Sequence, residues 1–477
     1  MEVSNVISLH GEIHISIDGL CFDSRHVEKN SVFFALVGTE QDGHAFIQKA
    51  VENGAVAVVC QQLPLHIDKH VTYIQVKDTS IAMGFMASAF YENPSSKLSL
   101  IGITGTNGKT TTVTLLYRLF RILGYKVGLL STIENRIEDE VVVSSHTTGD
   151  AIEINRLLSM MVEKGCSYVF MEVSSHAVVQ NRIAGLNFVG AIFSNITRDH
   201  LDYHKTFEAY IKAKKQFFDN LPANAFALTN IDDKNGAVMI QNTRAHKYTY
   251  SLRTLADFKC KVLEDAFSGL LLEMDHKEVF TSLVGRFNAY NLTAIYAVAC
   301  LLGKDKIEVL CALSQLQAAS GRFQILKSKH NDKTAIVDYA HTPDALQNVL
   351  TTINEIRSIE QILICVVGAG GNRDTGKRPI MAEIAAKYAD KVILTSDNPR
   401  MEDPQEILNQ MDQGIDKRNR KKVIQILNRE EAIKAACFMA GKDDIILVAG
   451  KGHETYQEIQ GVKHHFDDRE VITKYID

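Results

Sequence analysis

The stretch Leu98-Ser99-Leu100-Ile101-Gly102-Ile103-Thr104-Gly105-Thr106-Asn107-Gly108-Lys109-Thr110-Thr111 passes from an apolar run through a glycine-rich turn into a helical pattern. The run Leu98 to Ile103 reads as a buried strand, and helical spacing extends from Lys109 to about Leu123. Glycines between the two let the backbone turn tightly, so that its N–H groups converge on an anion at the positive end of the helix. In this order Gly105, Thr106, Asn107, Gly108, Lys109, Thr110 and Thr111 form a phosphate loop, with Lys109 for the terminal phosphates and the Thr110 hydroxyl for Mg2+. The spacing departs from the usual Gly-x-x-x-x-Gly-Lys-Ser/Thr, because Ile103 stands five residues before Gly108. The competing reading is a glycine-rich turn with an exposed lysine, which the strand–loop–helix order disfavours. A mononucleotide site follows, but the loop alone does not separate kinase, ATPase and ligase.

Outward from this stretch, strand-sized runs alternate with helical patterns. Downstream, Tyr168 to Val173 and Gly190 to Ser194 are separated by helical stretches Ala151 to Lys164 and Thr206 to Phe218. Such alternation predicts a parallel sheet covered on both faces, with ligands at the carboxyl ends of its strands. From Gly321 the alternation resumes: Thr334 to Val337, helix Thr342 to Ile356, Ile362 to Val367, helix Arg378 to Ala389, Lys391 to Thr395, Asp444 to Val448. Upstream, short runs (Val32 to Val37, Ala55 to Cys60, Val71 to Val76) accompany one helical stretch, His44 to Gly54, and Asn93-Pro94-Ser95-Ser96 reads as a linker. The expectation is an α/β protein of three domains: residues 1–96, a central parallel-sheet mononucleotide-binding domain over 97–320, and a doubly wound, Rossmann-like C-terminal domain over 321–477.

Bulk properties exclude several classes. The 477 residues are 45% hydrophobic and 23% charged, with net charge −5, an ordinary globular balance without the basic excess of a nucleic-acid partner. Met1 to Leu20 mixes apolar with charged residues, unlike a signal peptide, and the richest apolar run, Ala55 to Cys60, is strand-sized. No membrane partner is expected, and the location is read as cytoplasmic. The eight cysteines are scattered without a Cys-x-x-Cys pair, which predicts reduced, mostly buried thiols.

Three further segments narrow the chemistry. Glu172 opens Glu172-Val173-Ser174-Ser175-His176 at the end of one strand-sized run. Asn195-Ile196-Thr197-Arg198-Asp199-His200-Leu201-Asp202-Tyr203-His204 follows another, and Ala213-Lys214 lies on the next helix. Singly, these read as a capping acid, a satisfied polar residue and a solvated lysine. Taken with the short phosphate loop, the Asp199-His200-Leu201-Asp202 signature and Ala213-Lys214, the chain resembles the Mur ligase family over nearly its whole length. The resemblance implies ATP and Mg2+, with Lys109, Glu172, His200 and Lys214 as catalytic residues. It implies a second Mg2+ held by Glu172 and His200, with Lys214 carrying a CO2-derived carbamate, a modification that turns a cation into an anionic oxygen donor suited to a hard metal. It also implies that Asn291 lies near the nucleotide base, that Arg322 contacts the nucleotide and Asp338 the ribose, and that the last domain closes on the central one to complete the site.

Substrate positions follow the same resemblance. Asp23-Ser24-Arg25, with Phe33 to Gly38 and Asp42-Gly43, resembles the family's uridine-binding first domain and implies Ser24 as a contact. Thr147, Thr148, Ser174, Gln180 and Arg182 match positions that hold a UDP-N-acetylmuramoyl-dipeptide, and Gly149 stands where the family usually has proline, implying a looser loop there. Asp397-Asn398-Pro399-Arg400 resembles the signature of members that add meso-diaminopimelate, with Arg373, Gly450 and Glu454 at the companion positions. A guanidinium fork suits the distal carboxylate of that amino acid because it pairs bidentately and keeps its charge. Asp397 and Glu454 suit its ammonium. The implied reaction is ATP-dependent ligation through an acyl-phosphate in peptidoglycan synthesis, by a monomer. The alternatives are a family member that adds L-lysine, a folylpolyglutamate-type ligase, and an inactive nucleotide-binding scaffold.

Overall fold

A computed structural model describes residues 6–38, 41–142 and 147–477, without the side chain of Asp202. The first residues of the Met1 to Leu20 segment and the Asp202 side chain of the signature therefore lie outside the described residues. Three main sheets follow one another along the chain. The first has the order Val6–His10, Thr72–Val76, Ala55–Cys60, Ser31–Phe34, Gly19–Cys21, parallel except for Val6–His10. One face buries Phe33, Val58 and Tyr73; the other buries Phe34 and Val59 with Ala82 and Met83 of the helix Thr79–Phe90, and reaches Ala151 of the next unit.

The expected linker is a packed corner. Asn93 adopts a left-handed conformation (φ 51°), Pro94 and Ser95 are buried, and the Ser95 hydroxyl accepts a hydrogen bond from the Asn187 amide at 3.0 Å. Proline and serine end the helix as expected, but the Ser95 hydroxyl finds its partner in the neighbouring unit rather than in water.

The central sheet has eleven strands. Its middle, in the order Phe258–Ala266, His246–Ser251, Phe226–Asn230, Gly190–Phe193, Ser99–Thr104, Tyr168–Glu172, Val127–Leu130, is parallel. Both wings are antiparallel: Gly269–Met274 and Lys277–Thr281 on one side, Asn135–Ile137 and Glu140–Val142 on the other. The all-parallel expectation thus holds only for the core. Between Met274 and Lys277 the chain reverses through Asp275 and His276, both at positive φ (51° and 61°), a two-residue hairpin turn without its usual glycine. Helices Lys109–Ile122 and Arg286–Leu301 cover one face, and Ala151–Glu163 and Phe207–Asp219 the other.

Gly102 decides how closely the last of these helices approaches. A methyl group there would lie 2.6 Å from Phe217 Cζ and 2.9 Å from Phe188 Cε1, so a bare backbone lets the Phe207–Asp219 helix settle onto the central strand. That helix carries Lys214 to the phosphate loop.

The third sheet has the order Gln324–Lys327, Thr334–Asp338, Ile445–Ala449, Leu363–Val367, Lys391–Leu394, Val423–Gln425, parallel except for its first edge. Helices Pro343–Ile356, Lys377–Tyr388 and Pro404–Asp412 pack on one face, Arg429–Met439 and Asp468–Tyr475 on the other. This is the doubly wound arrangement the alternation predicts, and the elements stand within one or two residues of their expected ends. All eight cysteines are free and most are buried, Cys311 being exposed. Among the described residues, no helix is long and apolar enough to cross a membrane.

Gly102→Ala is expected to lower stability by about 1–3 kcal/mol, the usual cost of overpacking a filled core. Differential scanning calorimetry against wild type measures it, and an unchanged melting temperature would show that the helix does not depend on this gap.

Candidate active site

The carboxyl ends of the central and third sheets face one another across a cavity of about 910 Å3. The phosphate loop, Glu172, Asn195 and Asn230 come from one edge; Asp338, Gly370, Asp397 and Gly450 come from the other. This is where ligands gather in open α/β sheets. Hydrogen bonds already bridge the cleft: Asn107 Nδ2 and Thr197 Oγ1 donate to Asp344 Oδ2 at 2.8 and 3.2 Å, and Arg322 Nη2 donates to Thr110 Oγ1 at 3.1 Å.

The phosphate loop leaves the end of the central strand as expected. Gly108 (φ 87°) precedes a helix that has no side-chain cap, so the first N–H groups of Lys109–Ile122 are left for an anion. A Cβ at Gly108 would meet Asn291 Oδ1 at 2.8 Å, which ties the expected base-side residue closely to the loop. Asn195 clamps the loop from below: its Oδ1 accepts from Asn107 N at 2.9 Å and its Nδ2 donates to Asn107 O at 3.0 Å. Lys109 Nζ donates to the carbonyls of Gly105 and Thr106 at 2.9 and 2.8 Å, folded over its own loop. Burial and the nearby Arg322 pull its pKa down, against the opposing pull of Glu172 and Asp199.

Lys214 is not a solvated lysine. It is 1% exposed, its Nζ donates to Gly105 O at 2.8 Å and sits 4.6 Å above the Tyr210 ring, and no carboxylate pairs with it among the described residues. Burial, reinforced by Lys109, holds its pKa well below the usual lysine value. Glu172 is fully buried; its Oε1 accepts from Thr132 N at 2.8 Å, whereas Oε2 is buried without a partner. A buried carboxylate oxygen in that state is a natural ligand for a hard cation, so the residues fit a Mg2+ ion. His200, at φ 53°, starts the short helix Leu201–His204, and its ring packs edge-on against His176 at 5.0 Å. All three residues line the cavity with Thr110. Among the described residues no group of three or more carboxylate, imidazole or thiol side chains is placed to hold a metal ion.

On the nucleotide side, Arg322 stacks on Tyr339 at 4.5 Å. Asp338, expected at the ribose, spends one oxygen on Phe323 N at 2.6 Å and the other on Ala340 N at 2.8 Å. Burial raises its pKa. Asn291 holds Asn288 Oδ1 at 3.1 Å.

On the far side, Arg400 has a left-handed backbone (φ 52°), donates from Nη1 to Gly371 O at 2.6 Å and lies 3.7 Å from Glu458. Its main chain is gripped by the hairpin Tyr456–Ile459 and Val462–His465 through Glu458 O and Gln460 N at 3.0 and 2.7 Å. A non-glycine residue held at positive φ in a cleft marks a position fixed by its surroundings. Arg373, Asp397, Asn398, Gly450 and Glu454 line the same end of the cavity. Glu454 takes Asn398 Nδ2 at 2.8 Å and the buried Lys451 at 3.1 Å; burial and Asp397 push its carboxyl up.

The dipeptide positions divide. Thr147, Thr148, Ser174 and Arg182 line the cavity; Gln180 does not, but orients Arg182 by accepting from its Nε at 2.9 Å. Thr148 is buried, its hydroxyl donating to Glu172 O at 2.8 Å. Ser24 is buried in the first unit and lies away from the cavity, as do Gly105, which contributes its carbonyl, and Pro399.

Several residues were not expected. Asn195, Lys377 and His341 join the site, with Lys377 Nζ donating to His341 O at 2.9 Å. Burial and Lys377 push His341 down to about 4. Asn195 follows the strand Gly190–Phe193 directly, so the carboxyl-end rule alone could have found it. Lys377 begins a helix and carries no such signal.

Residues 16–91 match the Mur ligase family, catalytic domain, residues 103–299 the Mur ligase middle domain, and residues 321–452 the Mur ligase, glutamate ligase domain. The UDP-N-acetylmuramoyl-L-alanyl-D-glutamate--2,6-diaminopimelate ligase of Cytophaga hutchinsonii is 60% identical over 474 residues, covering 99% of this chain and 97% of that protein. The protein of the same name from Phocaeicola vulgatus is 59% identical over 462 residues, 97% of this chain and 95% of its own. A solved structure of a ligase of that name is 34% identical, with a TM-score of 0.68 over 98% of this chain and 96% of that one. Similarity of this extent runs through both cavity edges as well as the sheets behind them, and the chain belongs to the Mur ligase family.

Proposed function

We infer that this chain is an ATP-dependent ligase of peptidoglycan synthesis that adds meso-diaminopimelate to UDP-N-acetylmuramoyl-L-alanyl-D-glutamate. The observation that carries this reading is a single cavity lined by a phosphate loop, a buried lysine, a carboxylate with an unpartnered oxygen, and an arginine-lined pocket. In the order of the chain, residues 1–96 take the uridine end with Ser24, 97–320 hold ATP, and 321–477 present the amino acid. The cytoplasm is the expected location.

The D-glutamate γ-carboxylate attacks the γ-phosphorus of ATP, ADP leaves, and an acyl-phosphate remains. The amino group of diaminopimelate then adds to the acyl carbon, and the tetrahedral intermediate expels phosphate to leave the new amide. Lys109 and the uncapped helix N-terminus orient the phosphates, Thr148, Ser174 and Arg182 hold the dipeptide, and Asn291, Arg322 and Asp338 steady the nucleotide. Mg2+, when bound, neutralises the phosphate charge, with Thr110, Glu172, His200 and a carbamylated Lys214 as its holders. The carbamate forms when the neutral amine adds to CO2 and releases a proton, and the buried Lys214, with its lowered pKa and no ion-pair partner among the described residues, is suited to that reaction. Positioning three reactants in one closed site can supply roughly 7–11 kcal/mol of the barrier. Arg373 and Arg400 receive the distal carboxylate, while Asp397 and Glu454 face the ammonium.

ADP release should require UDP-muramoyl-dipeptide and diaminopimelate together; release with nucleotide alone would instead point to a switch or scaffold. Lys214→Ala should be nearly inactive and partly restored by short-chain carboxylic acids. Full activity of the unsupplemented variant would remove Lys214 from the metal site. Wild type should discriminate against L-lysine by about 10⁴–10⁵, because the two guanidinium groups lose their partner. Arg400→Ala should lose about 2–5 kcal/mol of diaminopimelate recognition, read as kcat/KM. Comparable use of both amino acids by wild type would change the substrate and leave the ligase reading standing.

A further inference from the structure

Beneath the amino-acid pocket lies an ion pair that no step above uses. Arg429 and Asp468 are both 0% exposed, and the guanidinium meets the carboxylate bidentately, Nε to Oδ1 and Nη2 to Oδ2, each at 2.8 Å. The same guanidinium donates from Nη2 to Ala449 O at 3.1 Å and from Nη1 towards Ser396 O at 3.5 Å. Ser396 and Ala449 stand immediately before Asp397 and Gly450. Their strands, Lys391–Leu394 and Ile445–Ala449, are not neighbours, because Leu363–Val367 runs between them. One planar group therefore spans a whole strand and ties two loops at a set separation.

Stability is a poor reason for such an arrangement. A buried ion pair seldom stabilises more than apolar residues of the same volume, because both charges lose their hydration. Arg429 is also the first residue of the helix Arg429–Met439, where a cation opposes the helix dipole. Geometry is the better reason. Above the pair, Asn398 Nδ2 reaches Glu454 at 2.8 Å and Lys451 Nζ reaches Asn398 Oδ1 at 3.0 Å. A Cβ at Gly450 would lie 2.5 Å from Asp397 Oδ2. The two loops touch closely enough that a small change in their separation alters every contact in the pocket.

We propose that Arg429 and Asp468 are positioning residues that set the distance between the Asp397–Arg400 and Gly450–Glu454 loops, and so determine how well the incoming amino acid fits. This rests on the reading of that end of the cavity as the amino-acid site. The pair acts through the carbonyls of Ser396 and Ala449 and touches no reactant. It also makes the final helix, Asp468–Tyr475, part of substrate selection although it lies behind the sheet.

The test uses full-length Asp468→Asn, Arg429→Lys and the double variant, with each of the three substrates varied in turn. Asp468→Asn keeps size and shape, so it decides the matter if Arg429→Lys does not fold. KM for diaminopimelate should rise roughly 10–100-fold, the size of effect that ångström-scale misplacement produces. KM for ATP and for the UDP-dipeptide should hold, Arg429→Lys should be the milder single change, and the double variant should be no worse than the worse single. An unchanged KM for diaminopimelate, whether or not the melting temperature falls, would overturn the proposal, as would equal rises for all three substrates. Wild type in the same assay tests the substrate reading separately: if it turns over another amino acid, that amino acid becomes the varied substrate.

Discussion

Burying the Lys214 amine without a carboxylate partner among the described residues constrains the centre of the molecule. A bare ammonium in such a place costs several kcal/mol of hydration. The protein offsets part of that with the Gly105 carbonyl at 2.8 Å and the face of Tyr210, and lowers the charge itself by depressing the pKa. For those contacts to exist, the helix Phe207–Asp219 has to lie close on the central strand, which is why Gly102 sits beneath Phe217. The same carbonyl also receives Lys109, so both lysines meet at the first residue of the phosphate loop.

The strand ends supply the other half of the site. Parallel strands leave every loop at one edge, and two such edges face across one cleft. Side chains distant in sequence, such as Asn107 and Asp344, then come within a hydrogen bond. The rest of the lining comes from helices that pack beside those ends, such as Phe207–Asp219 with Lys214, Arg286–Leu301 with Asn291, and Pro343–Ile356 with Asn348.

The parts legible in the sequence are those written in local pattern. The phosphate loop carries a strand, glycines and a helix start within a dozen or so residues, and the doubly wound alternation after Gly321 carries strong periodicity. The hairpin at Asp275-His276 was not legible, because its reversal uses no glycine or asparagine. The packing of the linker at Asn93 to Ser96 was not legible, because turn chemistry does not reveal whether a turn faces water or protein. Among residues that line the cavity, Glu172, His200 and Lys214 were singled out through resemblance, and spacing alone left each with an ordinary reading. Arg378 shows the remaining limit. It grips Glu402 bidentately at 2.8 and 3.0 Å and holds Gly370 O at 3.1 Å beneath the arginine pocket, yet it reads as one basic residue on a helix.

Apart from the uncapped N–H groups at the start of Lys109–Ile122, the side chains proposed to meet the nucleotide are already engaged by protein. Arg322 holds the Thr110 hydroxyl, the loop carbonyls hold Lys109, and Asn195 holds the Asn107 amide. Substrate binding at such a site is an exchange of partners rather than the filling of a bare surface. Exchanging a neutral carbonyl for a phosphate oxygen favours the charge-assisted bond, which is roughly twice as strong as a neutral one. The bridge from Thr110 to Arg322 also joins the two sheets, so the contact to be exchanged for nucleotide is one that holds the cleft together. The bonds from Asn107 and Thr197 to Asp344 join the same two edges without Arg322, so an exchange at Thr110 leaves the cleft held on that side.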